Sequence, residues 1–475
     1  MSSELPSYEQ AAAIVANYAC NLAQQGPRTE RVDLALASDR ILSKPLRADD
    51  DQPPFPRSTR DGYACRAAEA SAHVALPVAG STHAGEAPAG PLPAGSAWEI
   101  MTGAPVPESA DCVVMLEHVE NSNVEKSAAT IRLLPPRTIQ PGDNVVDQGA
   151  QARRGDELLA PGVALGPAQV ALAASCGYSS IDVFVRPRVA ILTTGDELVA
   201  VDATPGPGKI RNSNAPMLAA LVARSGGEPI VLPTAADTAE ALEAALEEAL
   251  KSDMLLISGG VSAGKYDLVE PALARLGARF HFTGVKIQPG KPLVFGEIPA
   301  NVSRRQEVSG HDLSRAKGAA TITTHSSSSS GRHEASGHDF SRAEKSPELG
   351  GALAPERRSL AFLGLPGNPI STAATFLLFA AAILAALAGS RETHPRFLLA
   401  HLSRDTDRKG KPGLTRFLPA RCTYSPSLNE LPQVATIPWH GSGDLTAFAQ
   451  SNCFLVIPED AGFLEAGSTV RILLH

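Results

Sequence analysis

A multidomain chain with a doubly wound α/β domain and flanking β-rich domains is expected, and three observations lead there. From Arg188 to Ala388, short apolar runs alternate with amphipathic stretches, the pattern of strands buried on both faces and covered by helices. One of these runs, Met254 to Ile257, leads directly into Ser258-Gly259-Gly260, then Ser262 and Gly264: strand, glycine loop, helix. Between Asp51 and Gly149, and again after Arg391, Pro and Gly are frequent and the apolar runs are short and β-like. The chain therefore divides into an N-terminal helical linking region (1–50 and 150–185), an inserted β-rich domain (51–149), the α/β domain (186–390) and a C-terminal β domain (391–475).

The elements follow in order. Tyr8 to Leu22 predicts a helix, and Arg31 to Leu46 a second helical stretch ending before Asp49-Asp50-Asp51. Val113 to Leu116 and Thr130 to Leu134 read as strands, and Leu165 to Ala174 resumes helical character. Within the α/β domain, Val189 to Leu192, Pro229 to Leu232, Met254 to Ile257, Leu293 to Glu297 and Leu360 to Leu363 read as strands. Pro216 to Ala223, Thr238 to Leu250 and Leu268 to Leu276 read as helices, with Phe280 to Ile287 continuing the series. Ile370 to Ala388 is apolar enough to suggest a membrane span. It is rich in Ala and follows a Pro-Gly-Asn-Pro turn, so a buried core helix is expected. Phe454 to Ile457 and Thr469 to Leu474 read as strands of the last domain.

Residues 301–358 break the rhythm. They hold the serine run Ser326 to Ser330 and a repeated word, Ser309-Gly-His-Asp-Leu-Ser-Arg-Ala316, which recurs as Ser336-Gly-His-Asp-Phe-Ser-Arg-Ala343. So few apolar residues cannot offset ordering entropy, which predicts a disordered insertion.

Composition narrows the function. A formal charge of −8 and few aromatics argue against nucleic-acid binding. Six scattered cysteines without a CxxC pair favour reduced thiols in a cytoplasmic protein. No basic start followed by an apolar core marks a signal peptide.

The chemistry-bearing motifs lie mainly at expected strand ends. Ser258, Gly259, Gly260, Ser262 and Gly264 let a ligand approach the backbone, and a helix start offers N–H groups to an anion. Asp267 at that helix start disfavours a bare phosphate and suggests a bridging cation. Thr194-Gly195-Asp196-Glu197 ends another strand, where Glu197 is an oxygen ligand suited to Mg²⁺ or, more simply, part of a capping turn. Lys286 and Lys291, around a Pro-Gly turn, are positioned cations, and Pro366-Gly367-Asn368 leads to Ser371 at a helix start. Earlier, Arg57-Ser58-Thr59-Arg60-Asp61 reads either as a site or as a solvated interdomain turn. Thr102 before Gly-Ala-Pro reads either as an oxyanion contact or as a Pro-rich corner.

Taken in order, Ser58-Thr-Arg-Asp-Gly-Tyr-Ala64, Met101-Thr-Gly-Ala-Pro-Val-Pro107, Thr194-Gly-Asp-Glu-Leu198, Ser258-Gly-Gly-Val-Ser-Ala-Gly264 and Leu365-Pro-Gly-Asn-Pro369 resemble the molybdopterin molybdenumtransferase family, the MoeA-type proteins and the catalytic region of gephyrin. The resemblance spans nearly the whole chain apart from 301–358 and is weakest after Arg391. It implies a molybdopterin-binding, MogA-like α/β domain. It also implies Mg²⁺-dependent hydrolysis of adenylylated molybdopterin, with AMP released and molybdate inserted at the dithiolene. A homodimer is implied, its site formed by the α/β domain of one subunit and N-terminal parts of the other. Carried over by position, Asp61, Thr102, Glu197, Asp237 and Asp267 are catalytic, with Glu197, Asp237 and Asp267 as Mg²⁺ ligands. Asp143 matches a further acidic position, and Lys291 and Ser371 match the molybdate pocket. Where many relatives have Lys-Pro-Gly-Lys-Pro, this chain has Gln288-Pro-Gly-Lys291-Pro292, and Lys286, on the same face of an extended strand, is the candidate replacement. Two other functions compete: a molybdopterin adenylyltransferase, and a molybdopterin-binding scaffold without catalysis. No nucleic acid or membrane partner is expected.

Overall fold

A computed structural model describes residues 4–87, 90–122, 129–260, 268–300, 358–406, 412–424 and 430–475. The chain forms two compact units, one of Met1–Gly26, Arg186–Ala388 and Glu392–His475, the other of Pro27–Val185 and Gly389–Arg391.

At the centre of the first unit is a six-stranded sheet in the order Glu228–Val231, Arg188–Thr193, Met254–Ser258, Leu360–Leu365, Val294–Ile298, Arg279–Thr283. The first four strands are parallel. The last two run antiparallel to their neighbours. The alternation of apolar runs does not reveal this reversal. Its cause is the short connection between Thr283 and Val294, which leaves no room for a crossover helix.

Both faces of the sheet are buried, which is why its strands read as continuous apolar runs. Val189, Ile191, Met254, Leu256, Leu363 and Leu365 point into one core. There they meet Tyr8, Val15 and Leu22 of helix Tyr8–Gln24 and Leu218 and Val222 of helix Asn214–Arg224. Ala190, Leu192, Leu255, Ile257 and Phe362 point the opposite way, toward helices Ala239–Ala249 and Val269–Arg275. Ser7 opens the first helix with a reciprocal capping box to Gln10, which satisfies two otherwise unpaired N–H groups. Each fully buried Leu or Ile contributes about 1.5–3 kcal/mol.

Among the described residues one helix, Pro369–Leu387, is long and apolar enough to cross a membrane, and 83% of that stretch is buried inside the structure. It contains a π-helical turn, Phe376–Ala380. The buried core helix expected from its Ala content is what forms.

A second sheet in this unit joins Ile287–Gln288, Thr415–Thr423, Gln433–Thr436, Phe397–Leu402, Thr469–Leu474 and Cys453–Ile457. An additional pairing of Thr415–Thr423 with Cys453–Ile457 closes it on itself. His475 packs beside Phe448 and Phe454, ring centroids 4.7 and 5.2 Å away, with Nε2 2.8 Å from Ser451 Oγ. Burial, reinforced by Arg224, lowers its pKa to about 4. Because the unfolded imidazole titrates near 6.5, the unfolded chain binds the extra proton between about pH 4 and 6.5. The stabilisation is therefore complete above about pH 6.5 and lost as pH falls toward 4, by at most about 3 kcal/mol. Urea midpoints of wild type and His475→Gln should fall by different amounts between pH 7 and pH 5; equal falls would refute the linkage.

In the second unit a six-stranded sheet runs Cys112–Met115, Gly62–Cys65, Ala97–Ile100, Leu76–Thr82, Thr130–Leu133, Val119–Ser122. Smaller ladders pair Thr29–Asp33 with Ser180–Phe184 and Leu46–Arg47 with Glu157–Leu159. The stretch from Arg31 to Leu46 is thus extended with one 3₁₀ turn, Leu34–Leu36, and not the helix its apolar spacing suggested. The ladder to Ser180–Phe184 overrides local propensity there. All six cysteines are free. Cys65 and Cys112 sit opposite each other on paired strands with sulfurs 3.6 Å apart.

Candidate active site

The motif residues gather into two groups, one in each unit. In the first unit, strand register sets Thr193, Ser258 and Leu365 side by side, so their following loops leave the same carboxyl edge. Thr194 N donates to Ser258 O (3.1 Å) and Gly259 N to Leu365 O (3.3 Å), tying the loops to one another. Only glycine suits the next positions. Gly259 has φ +96° and a Cβ there would lie 2.5 Å from Thr194 O; Gly260 has φ +63° and its Cβ would lie 2.8 Å from Thr194 Oγ1.

Two asparagines stitch this edge together. Asn212 Nδ2 donates to Thr193 Oγ1 (2.8 Å), while its Oδ1 accepts from Ala215 N (3.1 Å) at the start of the helix. Asn214 Nδ2 reaches Gly367 O at 2.6 Å and Ser258 Oγ at 2.8 Å, joining the Pro366-Gly367-Asn368 turn to the glycine loop. Two buried polar atoms here, Thr194 Oγ1 and Asn214 Oδ1, lack a hydrogen-bond partner among the described residues. Buried groups of this kind are costly unless something else satisfies them.

The acids lie beside it. Asp196 N donates to Asp237 Oδ2 (3.3 Å) and Asp237 N to Asp196 Oδ1 (3.2 Å), locking the loops of neighbouring strands. Each carboxylate keeps a second oxygen for an outside group. Glu197 is exposed and folds back over Gly195 (φ +142°), where an added Cβ would lie 2.6 Å from Glu197 Oε2. Asp196, Glu197 and Asp237 offer hard oxygens only, the donor type Mg²⁺ prefers. Among the described residues no three such side chains come together as a group that could hold a metal ion. Ser262, Gly264 and Asp267 lie outside the described residues, as do 301–357 of the expected insertion.

Lys291 is exposed, on a loop whose Gly290 closes on helix Pro369–Thr375: a Cβ at Gly290 would lie 2.6 Å from Thr375 Cγ2. Thr375 Oγ1 donates to Ser371 O (2.7 Å), and Ser371 is only 4% exposed. Lys286 Nζ is 2.6 Å from Glu4 Oε1 and 4.0 Å from Glu459 Oε1. The Glu4 hydrogen bond raises its pKa.

In the second unit, Asp61 Oδ1 accepts from both Thr102 N (2.6 Å) and Thr102 Oγ1 (2.9 Å). These bonds, the backbone one first, hold the exposed Asp61 carboxyl below the usual range. Gly103 N donates to Ser58 O (2.8 Å) and Thr59 N to Asn144 O (2.9 Å), so three separate sequence words form one surface corner. Asp143 Oδ2 accepts from Gln140 N (2.8 Å), a turn-capping role. Asn212 and Asn214 are not among the residues that the sequence motifs mark. Their sequence signal was Asn212-Ser213-Asn214 directly ahead of a periodic apolar helix.

Comparison with known proteins assigns family domains along the chain. The MoeA N-terminal region (domain I and II) matches residues 6–177, a probable molybdopterin binding domain matches 190–386, and the MoeA C-terminal region (domain IV) matches 403–475. The chain is 31% identical to a molybdopterin molybdenumtransferase of Nostoc sp., covering 99% of this chain and 94% of that one. It is 30% identical to the Bacillus subtilis protein of the same name, covering 96% and 91%. A crystal structure of a molybdopterin biosynthesis MoeA protein from Pyrococcus horikoshii OT3 superposes with TM-score 0.69 at 25% identity, over 99% of this chain and 100% of that one.

Proposed function

The chain belongs to the molybdopterin molybdenumtransferase family, and from that premise we propose that it inserts molybdate into adenylylated molybdopterin and releases AMP. The observation that carries this reading is the carboxyl edge where Gly259, Gly260, Asn214 and the Pro366-Gly367-Asn368 turn converge around the unpaired Thr194 Oγ1 and Asn214 Oδ1. A ligand presenting an N–H to Asn214 Oδ1 and a polar atom to Thr194 Oγ1 satisfies both, and a pterin offers such an edge.

The chain's residues divide the work. The glycine loop admits the substrate to the backbone. Glu197 and Asp237, with Asp267, would hold Mg²⁺, which supplies charge neutralisation at the phosphate. Asp61, ionised and aimed by Thr102, orients the attacking water, and Lys291 and the Ser371 helix start receive the oxyanion. Water's oxygen bonds to the adenylate phosphorus, the bond to the molybdopterin phosphate breaks and AMP leaves; molybdenum bonds to the two dithiolene sulfurs as one molybdate oxygen departs as water with the two thiol protons.

A homodimer belongs to the same proposal, with Asp61 and Thr102 of one subunit serving the α/β edge of the other. Co-expressed Asp61→Ala and Glu197→Ala subunits, each inactive alone, should recover roughly a quarter of wild-type activity, because half the dimers are mixed and each mixed dimer keeps one intact site. No recovery would refute the shared site. Incubation with Mg²⁺ and either ATP plus molybdopterin or adenylylated molybdopterin plus molybdate separates the competing functions. ATP consumption would mean an adenylyltransferase, and binding without AMP release a scaffold.

A further inference from the structure

We propose that Cys65 and Cys112 are a modification site of the second unit, a cross-strand thiol pair that a peroxide converts to an intramolecular disulfide. The molybdenum-transfer reading uses neither thiol, so the two stand independently. Cys65 ends strand Gly62–Cys65, and Cys112 begins strand Cys112–Met115 directly opposite it in the antiparallel register. Opposed residues on such strands have Cα atoms about 4.5–5.5 Å apart, within the roughly 4.4–6.8 Å that a disulfide spans. The sulfurs already lie 3.6 Å apart. Side-chain rotation therefore suffices to bring them to bonding distance. Other thiols have different neighbours: Cys453 Sγ donates to Ala420 O (3.5 Å), and Gln52 Nε2 donates to Cys176 Sγ (3.0 Å).

The two sulfurs are not equivalent. Cys112 Sγ donates to Cys65 O (3.4 Å), and the hydrogen bond with Cys65, then burial, push the Cys112 thiol up. Cys65 is thus the sulfur that reacts first. Its thiolate attacks one peroxide oxygen, the O–O bond breaks, and the leaving hydroxide takes a proton to become water. The sulfenic acid so formed lies against Cys112, whose sulfur displaces the hydroxyl and whose proton leaves with it as a second water. Two thiols lose two electrons and two protons, and the peroxide is reduced to two waters. Both side chains are fully buried, so the oxidant enters only when the strand ends open locally. Asp61 directly precedes the same strand, and its carbonyl accepts from Leu116 N (3.3 Å) just beyond the partner strand. The disulfide staples the other end of that strand pair and joins positions 47 apart in the chain.

The test uses full-length protein carrying Cys20→Ser, which removes the exposed thiol. It is incubated with hydrogen peroxide at neutral pH, with and without urea below the unfolding midpoint, then alkylated and digested. The expected product is one peptide pair joined through Cys65 and Cys112, formed faster in urea and reopened by dithiothreitol. The thermal transition of the oxidised protein should lie about 5 °C above that of the reduced protein, because the cross-link restricts the unfolded chain. Cys65→Ala and Cys112→Ala proteins should gain nothing from the same treatment. The peptide map is read on the native pair, so it decides the matter even where an alanine variant fails to fold. Recovery of Cys65 and Cys112 as unlinked thiols or as separate sulfinic acids would overturn the proposal, as would a linkage that leaves the thermal transition unmoved.

Discussion

Gly259→Ala is expected to lower AMP release about 100-fold. The cause is positional. An added Cβ at φ +96° would lie 2.5 Å from Thr194 O, a backbone atom that cannot rotate away. The loop must then move away from Thr194, against the Gly259 N to Leu365 O and Thr194 N to Ser258 O bonds that hold the edge. A displacement of about 1 Å at a site that positions reacting groups costs on the order of 100-fold in rate. The same strain should lower stability by about 1–3 kcal/mol. Gly206→Ala is the control, since a Cβ there meets nothing within 4 Å and the backbone is not left-handed. Thermal midpoints and AMP release of both variants, measured together, check this; equal behaviour would show that the glycine loop is not a positioning element.

Glu197→Gln should reduce kcat by about 100-fold or more while leaving the thermal midpoint unchanged. Glutamine keeps the size and removes the charge. Glu197 is exposed, so a solvated amide disturbs neither core nor strand ladder. What it removes is a hard oxygen donor at the edge where the phosphate is proposed to be cleaved. The Mg²⁺ concentration giving half-maximal activity should therefore rise in parallel. Wild-type rates with an unchanged Mg²⁺ requirement would remove Glu197 from the site.

Much of the fold was legible because its causes are local. Met254 to Ile257 is apolar throughout since both faces of its strand are buried, and Thr238 to Leu250 repeats with helical period since Leu242 and Leu246 face one core. The stretch from Arg31 to Leu46 was not legible, because its partner strand lies far away at Ser180–Phe184. The antiparallel direction of Val294–Ile298 was hidden for a similar reason: strand direction depends on the connection and not on the run itself.

The site divides in the same manner. Gly259, Gly260, Asp61 and Thr102 announce themselves through words in the sequence. Asn212 and Asn214 act by bridging loops that are distant in the chain, and Lys286 proved to be paired with Glu4. Side-chain partners of this kind follow from the assembled sheet edge.

Simultaneous measurement of AMP released and molybdenum bound to product, in single turnover with adenylylated molybdopterin, Mg²⁺ and molybdate, addresses the proposed reaction most directly. One AMP for each molybdenum inserted, with neither formed by Glu197→Gln on the same timescale, is the expected result. AMP release without molybdenum incorporation, or molybdenum incorporation that leaves the adenylate intact, would contradict it.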